Sequence, residues 1–395
     1  MPALDGMRVL DMTQYEAGTS CTQQLGWMGA DVVKIESPTG DPGRGVTRDP
    51  SQVSQYFMNY NGNKRSIVLD LSKPEGRDIL LRLVPKFDAF VENYGPGVME
   101  RLNIGYDVMK ALNPGIIYTR IKGFGTWGPY SEYNSYDWVA QASAGTFSIT
   151  GEPNGPPTMI QPSFADSGTG IQAAFATVAA YVKKLRTGEG ELIEASMQEA
   201  VTYFMKTTGL AAWGKEAQVR IGNRRGAPSG IYQCKGGGPN DYVFIFTVTV
   251  RQWDTFCIVI GRPELAGDER YATAIARAAN AQELYDLTTA WCSERTKYEA
   301  MHEMAGAGVP CSAILDSLDL WTDPHLVERG LVQTVQHPAA GEVRIFRNPV
   351  LMPDSQAPLA PSPLLGEHTA EVLAVDLGLS EGQIAKLREA GVVGG

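Results

Sequence analysis

The sequence predicts an α/β protein with a Rossmann-like large domain and a smaller α+β domain. With 395 residues, the chain is longer than one ordinary hydrophobic core, so two domains are the default expectation. Strand-like apolar runs alternate with helical patterns over roughly the first 200 residues, which indicates a mostly parallel sheet. A different order of strand and helix patterns between roughly residues 225 and 320 indicates the second domain.

A β-α-β unit opens the chain. RVLDMT (8–13) is predicted as a buried strand, Ala17 and Gly18 begin a helix, and ADVVKIE (30–36) is the second strand. The connection between these strands should be right-handed. The next predicted elements, in order, are the strand SIVLDL (66–71), a helix from Pro74, the strand DAFVENY (88–94), a helix near 97–112 and the strand GIIYTRI (115–121).

The second half of the chain continues with clear helical and strand patterns. Apolar residues between Ile171 and Leu185 recur at helical spacing on one face. The remaining predicted elements are the strand LIEASM (192–197), the strand DYVFIFTV (241–248), two helices before Gly308 and Pro310, a Pro-rich connector (351–369) and a last helix with Ser380 and Gln383 as its capping box.

Composition excludes several classes of function. A net charge of −10 argues against a general nucleic-acid binder, because phosphate binding needs a basic surface. No apolar run approaches the length of a membrane span, and the amino terminus lacks the pattern of a signal peptide. The five cysteines and four histidines show neither a disulfide framework nor metal-ligand spacing. We therefore expect a cytoplasmic protein without a metal site, nucleic acid or membrane contact.

The first β-α-β unit also raises the possibility of a dinucleotide site. Glu36 ends the second strand, where an acid often holds a ribose. However, the turn TQYEAGTS places Tyr15 and Glu16 where close approach of a pyrophosphate needs glycine, so we expect no nicotinamide or flavin site. The N–H groups at Ala17 and Gly18 could still hold another phosphate or an adenine edge.

Two further segments carry alternative interpretations. In VENYGPGVMERLNIG (91–105), Asn93 and Tyr94 would form a cleft wall and Arg101 would pair with a phosphate, unless this is an ordinary strand-turn-helix corner with a solvated arginine. The segment 122–145 is rich in glycine and aromatic residues. It would line a pocket, or it is a packed surface loop in which Asp137 caps the following helix.

A single acid, Asp166, precedes the long helical segment. As a helix N-cap, aspartate contributes about 1 kcal/mol, and on composition alone this is the favoured interpretation. The N-cap interpretation does not explain Gly168 and Gly170, because glycine in the first turn of a helix lowers helix stability by about 1 kcal/mol relative to alanine. These glycines suggest close approach of another group to the backbone. A helix N-terminus would lower the pKa of Asp166, and an ionised, poorly solvated carboxylate is a competent nucleophile towards an activated acyl group.

The order of the motifs resembles that of the family III CoA-transferases, which include formyl-CoA and carnitine CoA-transferases and share their fold with alpha-methylacyl-CoA racemase. The resemblance covers nearly the whole chain, and its strength lies in the order and spacing of motifs that are weak alone. The motifs are LDGMRVLDMT, GADVVKIE, NKRSIVLDL, VENYGPGVMERL, KGFG…GP, DWVAQASAG, ADSGTG, TGEGELIEASM, IGRPELAGDERY, AGVP, PHLVERG and LGEHTAEVL.

The resemblance implies a ring-shaped chain, two copies of which interlock into a homodimer. It implies a large CoA-binding domain from residues 1–200 and 330–395, completed by the C-terminal segment. Residues 225–320 would form the small domain, with linkers at 201–224 and 321–329.

The resemblance also implies roles for individual residues. Asp166 matches the nucleophilic aspartate of the family, and Asp137 is the second catalytic residue we expect. The predicted CoA-binding residues are Ala17, Gly18, Asn93, Tyr94, Arg101, Leu71 and Lys73. The predicted substrate-binding residues are Tyr15, Glu16, Tyr136, Arg224 and Arg225, with a solvated surface turn as the alternative for the two arginines.

Two departures from the family pattern refine the prediction. The racemases carry Gly-His-Asp where this chain has Ser135-Tyr136-Asp137, and a tyrosine with a pKa of about 10 is a poor base at neutral pH. This favours transfer over racemisation. Ser37 stands where some members have a nucleotide-binding arginine, so Arg44 or Lys73 would serve instead.

The predicted function is transfer of CoA from an acyl-CoA donor to a free carboxylic acid through an aspartyl mixed anhydride and an aspartyl-CoA thioester. CoA thioester is then a substrate, and no permanently bound cofactor is expected. The alternatives are an acyl-CoA racemase or epimerase of the same fold and a non-catalytic CoA-binding protein. The polar residues Gln14, Tyr15 and Glu16, with Arg224 and Arg225, suggest a polar or dicarboxylic acceptor such as succinate.

Overall fold

The computed structural model describes residues 1–49 and 51–395, apart from the side chains of Ala211 and Ala212. The chain divides into two compact units. The large unit contains residues 1–147, 159–216 and 330–395, and the small unit contains residues 148–158 and 217–329. Residues 201–216, which we expected in a linker, thus lie in the large unit, whereas 148–158, expected in the large domain, lie in the small one.

Twelve strands are present in the described part of the chain. They are β1 (Arg8–Met12), β2 (Asp31–Glu36), β3 (Lys64–Leu69), β4 (Ala89–Glu92), β5 (Ile117–Lys122), β6 (Glu191–Ser196), β7 (Gly230–Gln233), β8 (Tyr242–Ile245), β9 (Cys311–Ala313), β10 (Val332–His337), β11 (Gly341–Phe346) and β12 (Val393–Gly394).

The α-helices of the described residues follow the predicted alternation with the strands. They are α1 (Ala17–Trp27), α2 (Gln55–Asn61), α3 (Pro74–Leu83), α4 (Val98–Arg101), α5 (Tyr106–Leu112), α6 (Asp137–Ser143), α7 (Phe164–Thr187), α8 (Met197–Phe204), α9 (Val250–Val259), α10 (Ala274–Ala279), α11 (Ala281–Ser293), α12 (Lys297–Gly306), α13 (Asp319–Thr322), α14 (Pro324–Glu328), α15 (Thr369–Leu377) and α16 (Glu381–Glu389). None of them is long and apolar enough to cross a membrane.

The large unit is built on a seven-stranded sheet with the order β12-β3-β2-β1-β4-β5-β6. All neighbouring pairs are parallel except β12 with β3. This confirms the predicted α/β class, since parallel neighbours require helical crossovers. Apolar side chains of the central strands point alternately into two buried cores. One core includes α1 and α7, and the other includes α3, α15 and α16.

The C-terminal segment is part of the large unit. β12 pairs with β3, and the side chain of Thr369 accepts a hydrogen bond from the N–H of Val68 at 3.1 Å. The predicted capping box of Ser380 and Gln383 at the start of α16 is confirmed. The strands β10 and β11 form a separate antiparallel hairpin in the same unit.

Two predicted helices have different bounds. The helix expected near 97–112 is interrupted, because Asn103 adopts a φ of 55° that α-helical backbone does not allow, and Ile104 then turns into the core. The helix expected over 171–185 begins earlier, at Phe164. This earlier start places Asp166 inside the first turn rather than before it.

The small unit contains its own core. Its sheet has the antiparallel order β7-β8-β9. The two helices predicted before Gly308 are α11 and α12, and both contribute buried side chains, including Trp291 and Met304. A three-stranded sheet covered by helices is the smaller α+β arrangement predicted for this part of the chain.

Candidate active site

A cavity of about 330 Å³ opens at the carboxyl ends of β1, β4 and β5 in the large unit. Parallel strands direct the loops that follow them to the same edge of the sheet, which is the usual ligand site of such folds. Three sequence-predicted groups meet there: Glu16 after β1, Asn93 after β4, and Asp166 from the first turn of α7. The site is therefore assembled from segments separated by more than seventy residues of sequence.

The carboxylate of Asp166 is half-buried and faces the cavity. Among the described residues, no hydrogen bond to its side-chain oxygens is present. Burial, together with the nearby charges of Glu16 and Asp137, raises the pKa of Asp166 to about 8. The predicted lowering of this pKa by the helix N-terminus is therefore wrong, because desolvation and like charges outweigh the helix dipole.

Asp137 accepts hydrogen bonds from the N–H groups at the start of α7. Its Oδ1 atom accepts hydrogen bonds from the N–H groups of Ala165 (2.8 Å) and Asp166 (3.0 Å), and its Oδ2 atom accepts one from Gln141 (2.5 Å). Asp137 thus caps α7 from a distant part of the chain, while Ser163 occupies the N-cap position itself. The capping interpretations of Asp166 and of Asp137 on its own helix are both wrong.

Glu16 is the second carboxyl group of the cavity. The residue is 3% exposed, and its Oε1 atom accepts a hydrogen bond of 2.7 Å from the hydroxyl of Ser167. Burial raises the pKa of Glu16, against the opposing effect of hydrogen bonds from Ser167, Tyr60 and Ser163. Two carboxyl groups with raised pKa values therefore share one site, which is typical of functional sites.

The loop between β1 and α1 is fixed by polar contacts on both sides. The side-chain amide of Asn93 accepts from the N–H of Gln14 and donates to its C=O, both at 2.8 Å. On the other side, Asp41 accepts from the N–H of Tyr15 at 3.2 Å and pairs with the fully buried Lys34 at 2.8 Å. Tyr15 has a φ of 56°, a strained conformation for a non-glycine residue. Together these contacts hold the loop in its strained conformation.

The glycines after Asp166 have a structural explanation. A Cβ atom on Gly170 would lie 2.6 Å from the carbonyl oxygen of Ala17 and 2.6 Å from Cβ of Ser20. A Cβ on Gly168 would lie 3.0 Å from the ring of Phe204. The expected close approach to this backbone is therefore confirmed, and the approaching groups are α1 and the aromatic side chain.

The predicted CoA-binding residues separate into two groups. Ala17, Asn93 and Tyr94 line the cavity. Gly18 lies behind it, where a Cβ would be 2.5 Å from Thr13. Arg101 is exposed at the end of α4 and donates to the carbonyl of Pro96 at 3.2 Å.

The remaining candidate cations are engaged elsewhere. Lys73 donates to the carbonyl oxygens of Ala390 and Gly391 at 2.6 and 3.0 Å, and Leu71 packs against the core beside it. Arg44 makes two hydrogen bonds of 2.7 Å to Glu36, which hold its guanidinium group at the end of β2.

The predicted substrate-binding residues lie partly in the cavity wall and partly in the small unit. Tyr15 and Tyr136 form an edge-to-face pair with ring centroids 6.3 Å apart in the cavity wall. Arg224 and Arg225 lie in the small unit. The guanidinium of Arg224 stacks 4.1 Å from the ring centroid of Tyr285, which holds it against the surface of that unit.

Sequence reasoning missed the buried charges beneath the site. Lys34 and Lys64 are fully buried and pair with Asp41 and Asp11 at 2.8 and 3.0 Å. The sequence does indicate these buried ion pairs, because a charged residue in the middle of an apolar strand such as ADVVKIE needs a buried partner. Lys122 was also missed, and it lines the cavity at the end of β5. Across the described residues, no group of three or more His, Cys, Asp or Glu side chains could hold a metal ion.

Comparison with known proteins identifies relatives over the full chain. The model of a family described as CoA-transferase family III matches residues 4–369. A formyl-CoA:oxalate CoA-transferase of Streptomyces avermitilis is 40% identical, covering 99% of this chain and 99% of its own. Another of the same description from Streptomyces coelicolor is 39% identical over the same shares. The crystal structure of a CAIB/BAIF family protein from Brucella suis has a TM-score of 0.84 and 31% identity, covering 95% of this chain and 99% of the other.

Proposed function

The chain belongs to CoA-transferase family III, as its motifs indicated, and we propose that it transfers CoA from an acyl-CoA donor to a free carboxylic acid with Asp166 as the nucleophile. The observation that carries this proposal is the carboxylate of Asp166 itself. It faces a cavity at the carboxyl edge of the sheet, and no hydrogen bond among the described residues occupies its oxygens. A carboxylate that is poorly solvated and unpaired retains its nucleophilicity.

The proposed reaction exchanges one activated acyl group for another in four steps. Asp166 attacks the donor thioester carbonyl and displaces CoA thiolate, which leaves a mixed anhydride. CoA thiolate attacks the aspartyl carbonyl, releasing the donor acid and forming an aspartyl-CoA thioester. The acceptor carboxylate attacks this thioester and again displaces CoA thiolate, giving a second anhydride. CoA thiolate then attacks the acceptor acyl carbon, and Asp166 is regenerated as a carboxylate.

The charge state of Asp166 limits the first step. Only the ionised carboxylate attacks, and a pKa of about 8 leaves roughly one tenth of the free protein ionised at pH 7. The same desolvation raises the reactivity of the ionised fraction, because its attacking oxygen keeps more basicity. In this proposal Asp137 is a positioning residue, since it fixes the first turn of α7 through the N–H of Asp166.

The proposal assigns the contacts with CoA to the loops around the cavity. Ala17, Asn93 and Tyr94 line it and would contact the arm of CoA that ends in the thiol. Arg101 is exposed and would pair with a phosphate outside the cavity. Leu71 and Lys73 also remain proposed contacts of CoA, and Lys73 donates as well to the carbonyl oxygens of Ala390 and Gly391. Arg224 and Arg225 remain candidates for binding a substrate carboxylate.

Several finer features are also proposals. The named relatives suggest formyl-CoA as a donor and oxalate as an acceptor. The interlocked homodimer of ring-shaped chains and the cytoplasmic location follow from the resemblance and from composition. The racemase alternative requires a base beside the substrate's alpha carbon, and Tyr136 stands where the racemases have histidine.

A trapping experiment tests the covalent step. The protein is mixed with an acyl-CoA, treated with hydroxylamine or borohydride, digested and examined by mass spectrometry. Modification confined to Asp166, absent from Asp166→Asn, is the expected result, and an unmodified Asp166 during active turnover would overturn the proposal. A 2-methylacyl-CoA incubated in heavy water without an acceptor acid separates the alternative, because a racemase would exchange the alpha proton.

A further inference from the structure

The loop between β1 and α1, residues 13–16, has its backbone polar groups bound largely by side chains. Asp11 accepts a hydrogen bond from the N–H of Thr13 at 3.0 Å, and the fully buried Lys34 donates to the C=O of the same residue at 2.7 Å. Asn93 bonds both backbone groups of the next residue. Side chains thus take the place of the strand or helix partners that buried backbone groups ordinarily have, and they fix the loop at the cavity.

Tyr15 is the residue of this loop whose conformation needs outside support. Its φ of 56° lies in the left-handed region, which is strained for a residue other than glycine. The residue is 37% exposed and its ring contacts that of Tyr136, so packing into the core does not impose this conformation. Glycine would adopt the same backbone without strain. The tyrosine at this position therefore indicates that its ring serves the cavity wall, and hydrogen bonds must hold its backbone.

Asp41 supplies a hydrogen bond to the strained residue. It is 3% exposed, and its Oδ1 atom accepts from the N–H groups of Tyr15 at 3.2 Å and Gly43 at 2.7 Å. Its Oδ2 atom lies 2.8 Å from Nζ of Lys34, and its own N–H donates to Glu36 at 2.9 Å. Asp41 lies behind the cavity rather than among its described lining residues, and its fixed carboxylate supports the loop from there.

Compensation of a buried charge does not by itself explain this arrangement. The ammonium group of Lys34 also interacts with the charges of Asp11 and Glu36, so it has other carboxylates nearby. It contacts one oxygen of Asp41, while the other oxygen binds backbone N–H groups. The loop held in this way forms part of the wall of the cavity that Asp166 faces.

We propose that Asp41 is a positioning residue of the transfer reaction, which acts through the N–H of Tyr15 to hold the loop between β1 and α1 in the conformation that places the reacting acyl group against Asp166. This inference rests on the proposed function, since it concerns the geometry in which Asp166 reacts. A misplacement of about 1 Å can lower a rate by about a hundredfold. Most proposed contacts of CoA lie outside this loop, so loss of Asp41 should lower kcat far more than it changes KM for the acyl-CoA.

Two substitutions separate the hydrogen bonds of Asp41 from its charge. Asp41→Ala and Asp41→Asn both lose the ion pair with Lys34, but only asparagine keeps an oxygen that can accept from the N–H of Tyr15. Values of kcat and KM are measured with the acyl-CoA and acid that the natural protein turns over fastest, beginning with formyl-CoA and oxalate. Urea unfolding of each variant reports its stability separately.

Asp88 offers a matched control in the same unit. Its carboxylate also joins a backbone N–H, that of Arg8 at 2.9 Å, to a lysine, Lys184 at 2.7 Å. It precedes β4 and lies at the amino ends of the strands, whereas the cavity lies at their carboxyl ends. Asp88→Ala and Asp88→Asn therefore disturb the same kind of contact away from the site.

Hydrogen exchange provides a measurement on the natural protein that does not depend on any variant folding. The amide of Tyr15 should exchange at least about a hundredfold more slowly than in an unfolded peptide, although the residue is partly exposed. Residue-level mass spectrometry measures this rate. In Asp41→Ala the amide of Tyr15 should exchange at least about tenfold faster, while that of Thr13, which is bonded to Asp11, should change less.

The expected result is a fall in kcat of about thirtyfold to a hundredfold in Asp41→Ala, with KM for the acyl-CoA within about threefold of its natural value. Asp41→Asn should retain several times more of kcat, and both Asp88 variants should keep kcat within about twofold. An unchanged kcat in Asp41→Ala, or an equal fall in the Asp88 variants, would overturn the inference. Equal losses in the two Asp41 variants would overturn the role of the hydrogen bond to Tyr15.

Hydrogen exchange adds an independent outcome. A freely exchanging amide of Tyr15 in the natural protein would overturn the inference even if no variant folds. Absence of transfer by the natural protein to every acid would instead refute the proposed function, and the exchange rates would then still decide whether Asp41 holds the loop.

Discussion

Replacing Asp166 by asparagine should stabilise the large unit while it abolishes transfer. The reason is the pKa of about 8 in the folded protein against an ordinary value of 3.8. Below about pH 4 the carboxyl group is protonated in both the folded and the unfolded chain, so it does not change the free energy of unfolding. Between about pH 4 and 8 the unfolded chain ionises this group and the folded protein does not, so folding becomes less favourable as pH rises. Asparagine removes that penalty.

The size of the gain follows from the difference between the two pKa values. About four pKa units at roughly 1.4 kcal/mol each set a ceiling of ~6 kcal/mol at pH 8. Asp166 is half-buried and water reaches it from the cavity, so much of this energy is screened. We expect a gain of about 2 kcal/mol at pH 8, about half as much near pH 6, and almost none at pH 4.

Urea unfolding at several pH values measures this gain. The comparison includes Asp5→Asn, an exposed aspartate near the amino terminus, as the matched control. The free energy of unfolding should rise in Asp166→Asn by an amount that grows with pH, and it should stay unchanged in Asp5→Asn. A variant that is equally stable or less stable at pH 8, or a gain that does not depend on pH, would refute the reasoning about burial and like charge.

Three further results are expected. The rate of acylation of Asp166 in a single-turnover experiment should rise about tenfold per pH unit from 6 to 7 and level off near 8, whereas a flat profile would contradict the raised pKa. Asp137→Ala should lower the free energy of unfolding by about 1–2 kcal/mol, since two N–H groups lose their acceptor, and it should move the pH profile of acylation to lower pH. Asp137→Asn keeps an acceptor oxygen and should lose less stability. Equal losses of stability in the two variants would argue against the cap. Gly170→Ala should lower the free energy of unfolding in urea by about 1–3 kcal/mol, because the new Cβ would meet the backbone of Ala17. The Cβ of Gly168→Ala meets a ring that can shift, so this variant should lose less stability. The reverse order would contradict the packing of α1 on α7.

Much of the fold was predictable because it depends on local patterns. The strands RVLDMT, ADVVKIE and SIVLDL, and the helices that begin at Ala17 and Pro74, follow from apolar periodicity and from proline at a helix start. The interrupted helix near 97–112 was not predictable in this way. Asn103 is an ordinary residue in the sequence, and only the packing of Ile104 into the core explains its conformation.

The candidate site was predictable in its members but not in its electrostatics. Asp166, Glu16 and Asn93 each follow or precede an element that the pattern identified, so their meeting at one edge could be expected. The partner that caps α7 could not be expected, because Asp137 lies 28 residues away in sequence from the N–H of Ala165. The resulting pKa of Asp166 depends on that tertiary contact and on the depth of the cavity.

The most direct test of the central claim follows oxygen atoms. With an acceptor acid labelled with ¹⁸O in both carboxylate oxygens, the second anhydride leaves one labelled oxygen on the side chain of Asp166 when CoA departs with the acyl group. Mass spectrometry of the peptide that contains Asp166 should show a gain of about 2 Da after a single turnover and about 4 Da after many. An unlabelled Asp166 after complete conversion of the acceptor to its thioester would mean that CoA reaches the acceptor without bonding to this residue.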